Sequence, residues 1–233
     1  MLGKKVLGIM GGMGPMATVD LFGKIVSQTR ASRDQDHIHI IVDDDANIPD
    51  RRTSIANGDT LAGEGMLACA RRLEAAGADI LMIGCNTAHY FYDFVQKGVN
   101  LPILHMPQET AKEIARRGYT AAGILGTDMT IQMGLYHKAL EAEGVTPVEP
   151  DEEGKKILMD IIYKGVKAGN MNPDLGPVLA KMEEMKARGA QCFILGCTEL
   201  PVAFANADTD FDLIDPTNVL AQAAIRAAGY EVL

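Results

Sequence analysis

Two cysteines in this chain stand in matched surroundings. Cys85 follows the apolar run 80–83 and Gly84 and precedes Asn86-Thr87-Ala88-His89, while Cys197 follows the run 192–195 and Gly196 and precedes Thr198-Glu199-Leu200. The second stretch lies 112 residues after the first in a chain of 233, close to half its length. A thiol that a buried strand delivers into a polar turn at a helix start meets backbone amides and the positive end of the helix, which favour thiolate and bring the pKa towards neutrality. One such group is a base. Two of them on opposite faces of a tetrahedral carbon can remove a proton from one side and return it from the other, which is racemisation. The carbanion in between spreads its charge into an adjoining carboxylate and needs donors, which Asn86, Thr87, Thr198 and the helix-start amides supply. Cys69, midway along a helical pattern, and Cys192, at the start of a strand, have no such twin and read as small core residues.

The elements that must position these thiols echo one another as well. Gly8-Ile9-Met10-Gly11 and Gly123-Ile124-Leu125-Gly126 lie 115 residues apart, each an apolar strand ending at glycine. We therefore expect an α/β protein of two pseudosymmetric lobes, each a mostly parallel sheet flanked by helices, with the active site between them at the carboxyl ends of the strands. Residues 1–106 plus about 210–233 form the expected lobe carrying Cys85, and 107–209 the lobe carrying Cys197. Gly11-Gly12-Met13-Gly14 reads as a tight turn whose amides face an anion, with Pro15 opening a helix to about residue 30 that packs through Val19, Phe22, Ile25 and Val26. Residues 43–52 read as a long polar loop. Helices are expected from about 59 to 76, 107–117, 128–143, 152–168, 174–188 and 216–228, alternating with strands at 37–43, 103–105, 121–126, 146–149 and 211–214.

A net charge of −9 and a pI near 5.0 exclude nucleic acid and anionic membrane as main partners, because an acidic chain gains nothing electrostatically from either. No apolar run approaches the roughly 20 residues a membrane span needs, and residues 1–14 do not read as an export signal. The cysteines show no paired C-x-x-C spacing, so reduced thiols and a cytoplasmic location are expected. Gly12-Met13-Gly14-Pro15-Met16-Ala17 also fits a loose dinucleotide fingerprint, with Asp43–Asp45 where a ribose-binding acid would stand, but that reading leaves the cysteine repeat without a role. A binding protein without catalysis would need neither sulfur, and a thiol redox pair would have to close into a disulfide.

Taken together, Gly-Gly-Met-Gly-Pro-Met-Ala-Thr (11–18), Ile-Pro-Asp-Arg (48–51), Cys-Asn-Thr-Ala-His (85–89), Val-Lys-Ala-Gly (166–169) and Gly-Cys-Thr-Glu-Leu (196–200) resemble the aspartate racemases of the cofactor-independent Asp/Glu racemase family. The resemblance spans nearly the whole chain. It implies a small acidic amino acid as substrate, no pyridoxal phosphate, no metal, and a homodimer. It makes Cys85 and Cys197 the acid/base pair and Arg51 and Lys167 the cations that grip the substrate side-chain carboxylate. Asn86, Thr87, Thr127, Thr198, Glu199 and the Met13 backbone complete the implied pocket. His89 and Glu199 either tune or orient the cysteines or stand as helix N-terminal residues facing solvent. Arg52 and Asp44-Asp45 depart from the family pattern near the side-chain subsite, which leaves glutamate and broad-specificity racemases as alternatives.

Overall fold

The computed structural model describes residues 3–233, in two compact units. The chain up to Met106 joins Thr217–Leu233 in the first, and Pro107–Pro216 forms the second. In chain order the elements are β1 (Leu7–Met10), α1 (Pro15–Gln28), β2 (Ile40–Asp43), α2 (Arg51–Asn57), α3 (Leu61–Ala75), β3 (Ile80–Ile83), α4 (Tyr92–Gln96), β4 (Ile103–Leu104) and α5 (Met106–Arg116). They continue with β5 (Ala121–Gly126), α6 (Asp128–Gln132), α7 (His137–Ala142), β6 (Thr146–Val148), α8 (Glu152–Met159), α9 (Gly176–Ala187), β7 (Cys192–Gly196), α10 (Leu200–Ala203), β8 (Leu213–Ile214) and α11 (Pro216–Ala227).

Each unit holds one four-stranded parallel sheet, and the two orders correspond: β2-β1-β3-β4 and β6-β5-β7-β8. The repeat extends to register. Leu7 pairs with Ile80 and Met10 with Ile83, while Ala122 pairs with Cys192 and Leu125 with Leu195. Advancing β1 by 115 residues and β3 by 112 turns the first set of pairs into the second. The packing is duplicated too. A Cβ on Gly8 would lie 2.7 Å from the Leu81 side chain, and one on its counterpart Gly123 would lie 2.4 Å from the ring of Phe193, which is the counterpart of Leu81.

Both faces of the first sheet are covered, as a parallel sheet requires. Leu7, Ile9, Ile80 and Met82 face α1 and α11, in a cluster with Leu21, Ile25, Leu220, Ala224 and Ile225. Met10, Leu81 and Ile83 point the other way, towards Met66, Ala70 and Leu73 of α3 and Phe91 and Val95. This is the period-two alternation of a strand. In the second unit α8 and α9 cover the sheet through Leu158, Val178, Met182 and Met185.

Four local expectations need correcting. Residues 210–216 belong to the second unit, because β8 pairs with β7 and only α11 crosses back to the first sheet. On α1 the buried positions are Thr18, Leu21 and Ile25, whereas Met16 (76% exposed), Val19 (60%), Phe22 and Val26 lie on the outer face. Two apolar stripes compete on that helix, and the one containing Thr18 turns inward because its hydroxyl binds the preceding glycine loop. The polar stretch 43–52 ends in α2, where the Asp50 side chain accepts the Thr53 amide and Gly58 closes the helix. Finally, 128–143 is two helices, and 152–168 changes its winding from α to a π turn (Asp160–Gly165) and a 3₁₀ turn (Val166–Ala168).

Gly12 is the tightest point of the first sheet's loops. Its φ is +83°, and a Cβ there would sit 2.2 Å from the carbonyl carbon of Asp45. Left-handed backbone costs a residue with a side chain about 1–2 kcal/mol before any clash is added, so Gly12→Ala should lower the thermal midpoint by several degrees. Gly23 lies within α1 facing open space, and Gly23→Ala should add about 0.5–1 kcal/mol. Opposite shifts in thermal scans are the check; an unchanged midpoint for Gly12→Ala would show that the Asp45 contact yields.

Candidate active site

In the first unit the site is built on the level ends of β1 and β3. The Gly84 amide donates to the Met10 carbonyl at 3.2 Å, so the turn holding Cys85 begins where β1 ends. Cys85, Asn86 and Thr87 are all buried there. Beyond β1, the Gly11 amide donates to the Asp43 carbonyl at 2.9 Å, and the Gly12 amide donates to the Thr18 hydroxyl at 3.0 Å. The expected anion cradle thus has its central amide capped by the chain's own threonine.

Arg51, the first residue of α2, is held firmly. Its Nη1 donates to the carbonyls of Ile48 (3.3 Å) and Pro49 (3.1 Å), and its Nη2 donates to the carbonyl of Met13 (3.3 Å). The Met13 backbone is thereby tied to Arg51, another of the expected site residues. Nε is buried and has no partner, and Nη2 keeps a second N–H beside it. The acidic run beside it is largely neutralised by a residue that the spacing gave no reason to single out. Arg72, on α3, donates to Asp43 at 2.7 Å and to Asp45 at 2.8 Å. The amide of Asn47, with Arg72, holds the Asp45 carboxyl below its usual range. These carboxylates are consequently not presented as a ribose site, and Asp44 has an oxygen 2.8 Å from where a Gly11 Cβ would be.

The second unit repeats the plan with different side chains. Gly126 pairs with Gly196, so Thr127 and Cys197 leave neighbouring strands at one level. Thr127 caps α6, accepting the Thr130 amide at 3.2 Å. The Cys197 thiol donates to Glu199 Oε2 at 2.9 Å, and the Thr198 hydroxyl donates to the same oxygen at 3.2 Å. Lys167, in the 3₁₀ turn, has Nζ 3.6 Å from Glu199 Oε1 and 4.8 Å from the centroid of the Tyr163 ring. Glu199, expected to line the substrate pocket, thus directs its carboxylate at the thiol and at Lys167.

The thiolate expected from helix starts is not what surrounds Cys197. Burial pushes its thiol well up, and the Glu199 carboxylate adds to the rise by repulsion and by accepting the proton. The following helix, α10, has four residues and too little dipole to oppose them. Cys69 and Cys192 lie in the core as expected; burial pushes Cys192 up to about 12. His89, 4% exposed, is pushed down to about 3 by burial and by His105, so it is neutral across the physiological range. Among the described residues no group of three or more His, Cys, Asp or Glu is gathered as a metal site needs.

Comparison with known proteins bears on the family and the fold. The family model described as Asp/Glu/hydantoin racemase matches residues 10–224. A broad specificity amino-acid racemase of Bacillus subtilis is 26% identical, over 94% of this chain and 96% of that protein. A glutamate racemase of Aquifex pyrophilus is 27% identical over 58% of this chain and 52% of its own length. The solved structure of Picrophilus torridus aspartate racemase superposes with a TM-score of 0.81 and 28% identity, covering 98% of this chain and 96% of that one. The chain belongs to the Asp/Glu/hydantoin racemase family, and it is an amino-acid racemase with that family's two-lobe α/β fold.

Proposed function

We propose that this racemase interconverts L- and D-aspartate, with Cys85 and Cys197 as its acid/base pair. The observation that carries the reading is the equivalence of the two thiols: each follows a glycine at the carboxyl end of the same strand in sheets of the same order and register. For one enantiomer Cys85, as thiolate, removes the α-proton and the Cys197 thiol returns one to the opposite face. For the mirror image the sulfurs exchange tasks. The raised pKa of Cys197 makes it the donor in the resting form; when Cys197 must act as base, its proton passes to Glu199, which already accepts its hydrogen bond, and Cys85 takes from solvent the proton it will donate. Asn86 and Thr87 donate to the α-carboxylate as charge moves into it, and Thr198 joins them when its hydroxyl turns away from Glu199. Thr127 holds its loop at the level of Cys197 through its cap on α6.

Arg51 supports an acidic substrate. A buried N–H without a partner costs about 1–3 kcal/mol, and a carboxylate laid along the Nε–Nη2 edge removes that cost while gaining charge-assisted bonds. Lys167 supplies a second cation. A wider substrate range is the alternative, favoured by the full-length similarity to the Bacillus subtilis broad specificity enzyme.

Purified, EDTA-treated protein should abolish the optical rotation of L- or D-aspartate without added cofactor. Failure with aspartate but turnover of other amino acids would move the assignment to the broader reading, and failure with all would sink it. Arg51→Met or Lys167→Met should raise the KM for aspartate at least ~10-fold, since a charge-assisted hydrogen bond contributes about 1.5–3 kcal/mol. Equal losses for aspartate and alanine would show that neither residue reads the side chain.

Replacing Glu199 with Gln separates its two effects on Cys197. Loss of the negative charge should shift the onset of Cys197 alkylation, followed by peptide mapping, to lower pH, because the thiolate forms more readily. Loss of the proton acceptor should lower kcat/KM by about 100-fold. That fall must be equal for both enantiomers, whose equilibrium constant is one. An alkylation profile that does not move would remove Glu199 from the mechanism.

The homodimer implied by the family resemblance has a candidate face in the outer stripe of α1, where Met16, Val19, Phe22 and Val26 are exposed. Light scattering should give twice the chain mass for the wild type and the single-chain mass for Phe22→Asp; an unchanged dimer would place the interface elsewhere.

A further inference from the structure

The two cysteine turns differ in how the carbonyl of the cysteine itself is satisfied. In the second unit the Cys197 carbonyl accepts the Leu200 amide at 2.9 Å, an ordinary backbone bond closing the turn. In the first unit the His89 amide is spent on the Asn86 carbonyl at 3.0 Å, and the Cys85 carbonyl is met instead by the His89 ring, Nδ1 lying 2.9 Å from it. The residue equivalent to His89 in the second turn is Pro201, which has no such side chain.

The partners of this ring fix its chemistry. The Met106 amide lies 3.0 Å from Nε2 and has only a hydrogen to give, so Nε2 is the acceptor. In the neutral ring Nδ1 must then carry the proton and donate it to the Cys85 carbonyl. Around it, His105 makes an edge contact at 5.0 Å between centroids, and Tyr92 stacks at 6.5 Å with an interplanar angle of 9°. Tyr92 is anchored in turn by donating to the Ile103 carbonyl at 3.1 Å. With both nitrogens engaged and the ring buried, His89 has no proton to exchange with the thiol.

We propose that His89 is a positioning residue for Cys85: held in its Nδ1–H form between the Cys85 carbonyl and the first amide of α5, it fixes the turn from which this thiol reaches the substrate. It aims one of the two bases and leaves the other untouched. The inference rests on the two-cysteine reading, and it predicts an asymmetry that general loss of structure would not produce.

The test uses exchange of the substrate α-hydrogen in D₂O, which one thiol can perform on its own face. In a Cys197→Ser background only Cys85 exchanges, and in a Cys85→Ser background only Cys197 does. His89→Leu should slow exchange at least ~10-fold in the first background, because a base displaced by about 1 Å loses up to ~100-fold, and change it less than about two-fold in the second. His89→Asn, which keeps an N–H near the Nδ1 position, should recover part of the loss. Equal slowing in both backgrounds, or none in either, overturns the proposal. If neither cysteine variant exchanges any enantiomer, the two-cysteine reading fails, and nitrogen NMR of the histidines in the wild-type protein decides the His89 proposal independently. A ring protonated at Nδ1 and unchanged between pH 5 and 8 supports it; an Nε2–H ring, or one that titrates in that range, overturns it.

Discussion

The structure depends on one constraint of parallel sheets: a residue leaving a strand is placed by the register of the strand beside it. In the first unit the paired central strands end at Met10 and Ile83 with Gly11 and Gly84 the next residues, and in the second they end on Gly126 paired with Gly196. Gly12 and Cys85 therefore emerge at one level in the first unit, and Thr127 and Cys197 at one level in the second. Slipping either pair by one residue would exchange the two faces of the strand and turn Leu81 or Phe193 away from the space left by Gly8 or Gly123. The packing that stabilises each sheet is thus the same packing that sets the depth of each thiol.

Duplication fixes the sulfurs but not their surroundings. Around Cys197 a charged network of Glu199, Thr198 and Lys167 holds the proton on sulfur. Around Cys85 the polar residues are buried and neutral, and His89 binds the backbone. Counting from each cysteine, Glu199 corresponds to Thr87 and His89 to Pro201. The halves have diverged where chemistry needs a difference and stayed alike where the backbone must match. The proposed two-base reaction has that requirement, since one sulfur must give up a proton while the other accepts one.

Much of this was legible in the sequence. Gly-Cys after an apolar run, found twice, announced both thiols, and the 115- and 112-residue offsets carried the strand pairing. Features that depend on three-dimensional competition were not legible. Val19, Phe22 and Val26 form as good an apolar stripe as Leu21 and Ile25, and the inward face is the one that both packs on the sheet and brings Thr18 to the Gly12 amide. Arg72 reaches Asp43 and Asp45 across 29 and 27 residues, with no spacing to mark the contact. α2 could have been found, because Asp50, Thr53 and Gly58 spell a capped short helix.

The π turn at Asp160–Gly165 has a consequence for how the chain tolerates change in length. A π turn holds one residue more than an α turn, and each residue of a helix advances its successors by about 100°. Removing a single residue anywhere in that turn lets it relax to ordinary α winding, at little cost to hydrogen bonding. What lies beyond keeps its direction, because π winding takes about one residue more than α winding to complete the same revolution. Lys167 stands two residues past the turn, so its bearing on Glu199 survives the loss of that surplus residue. The same deletion made earlier, inside α8, has no surplus to absorb it and would rotate Lys167 by about 100° away from the carboxylate. The π turn is thus the one stretch upstream of this cation where a change of length by one residue is taken up locally.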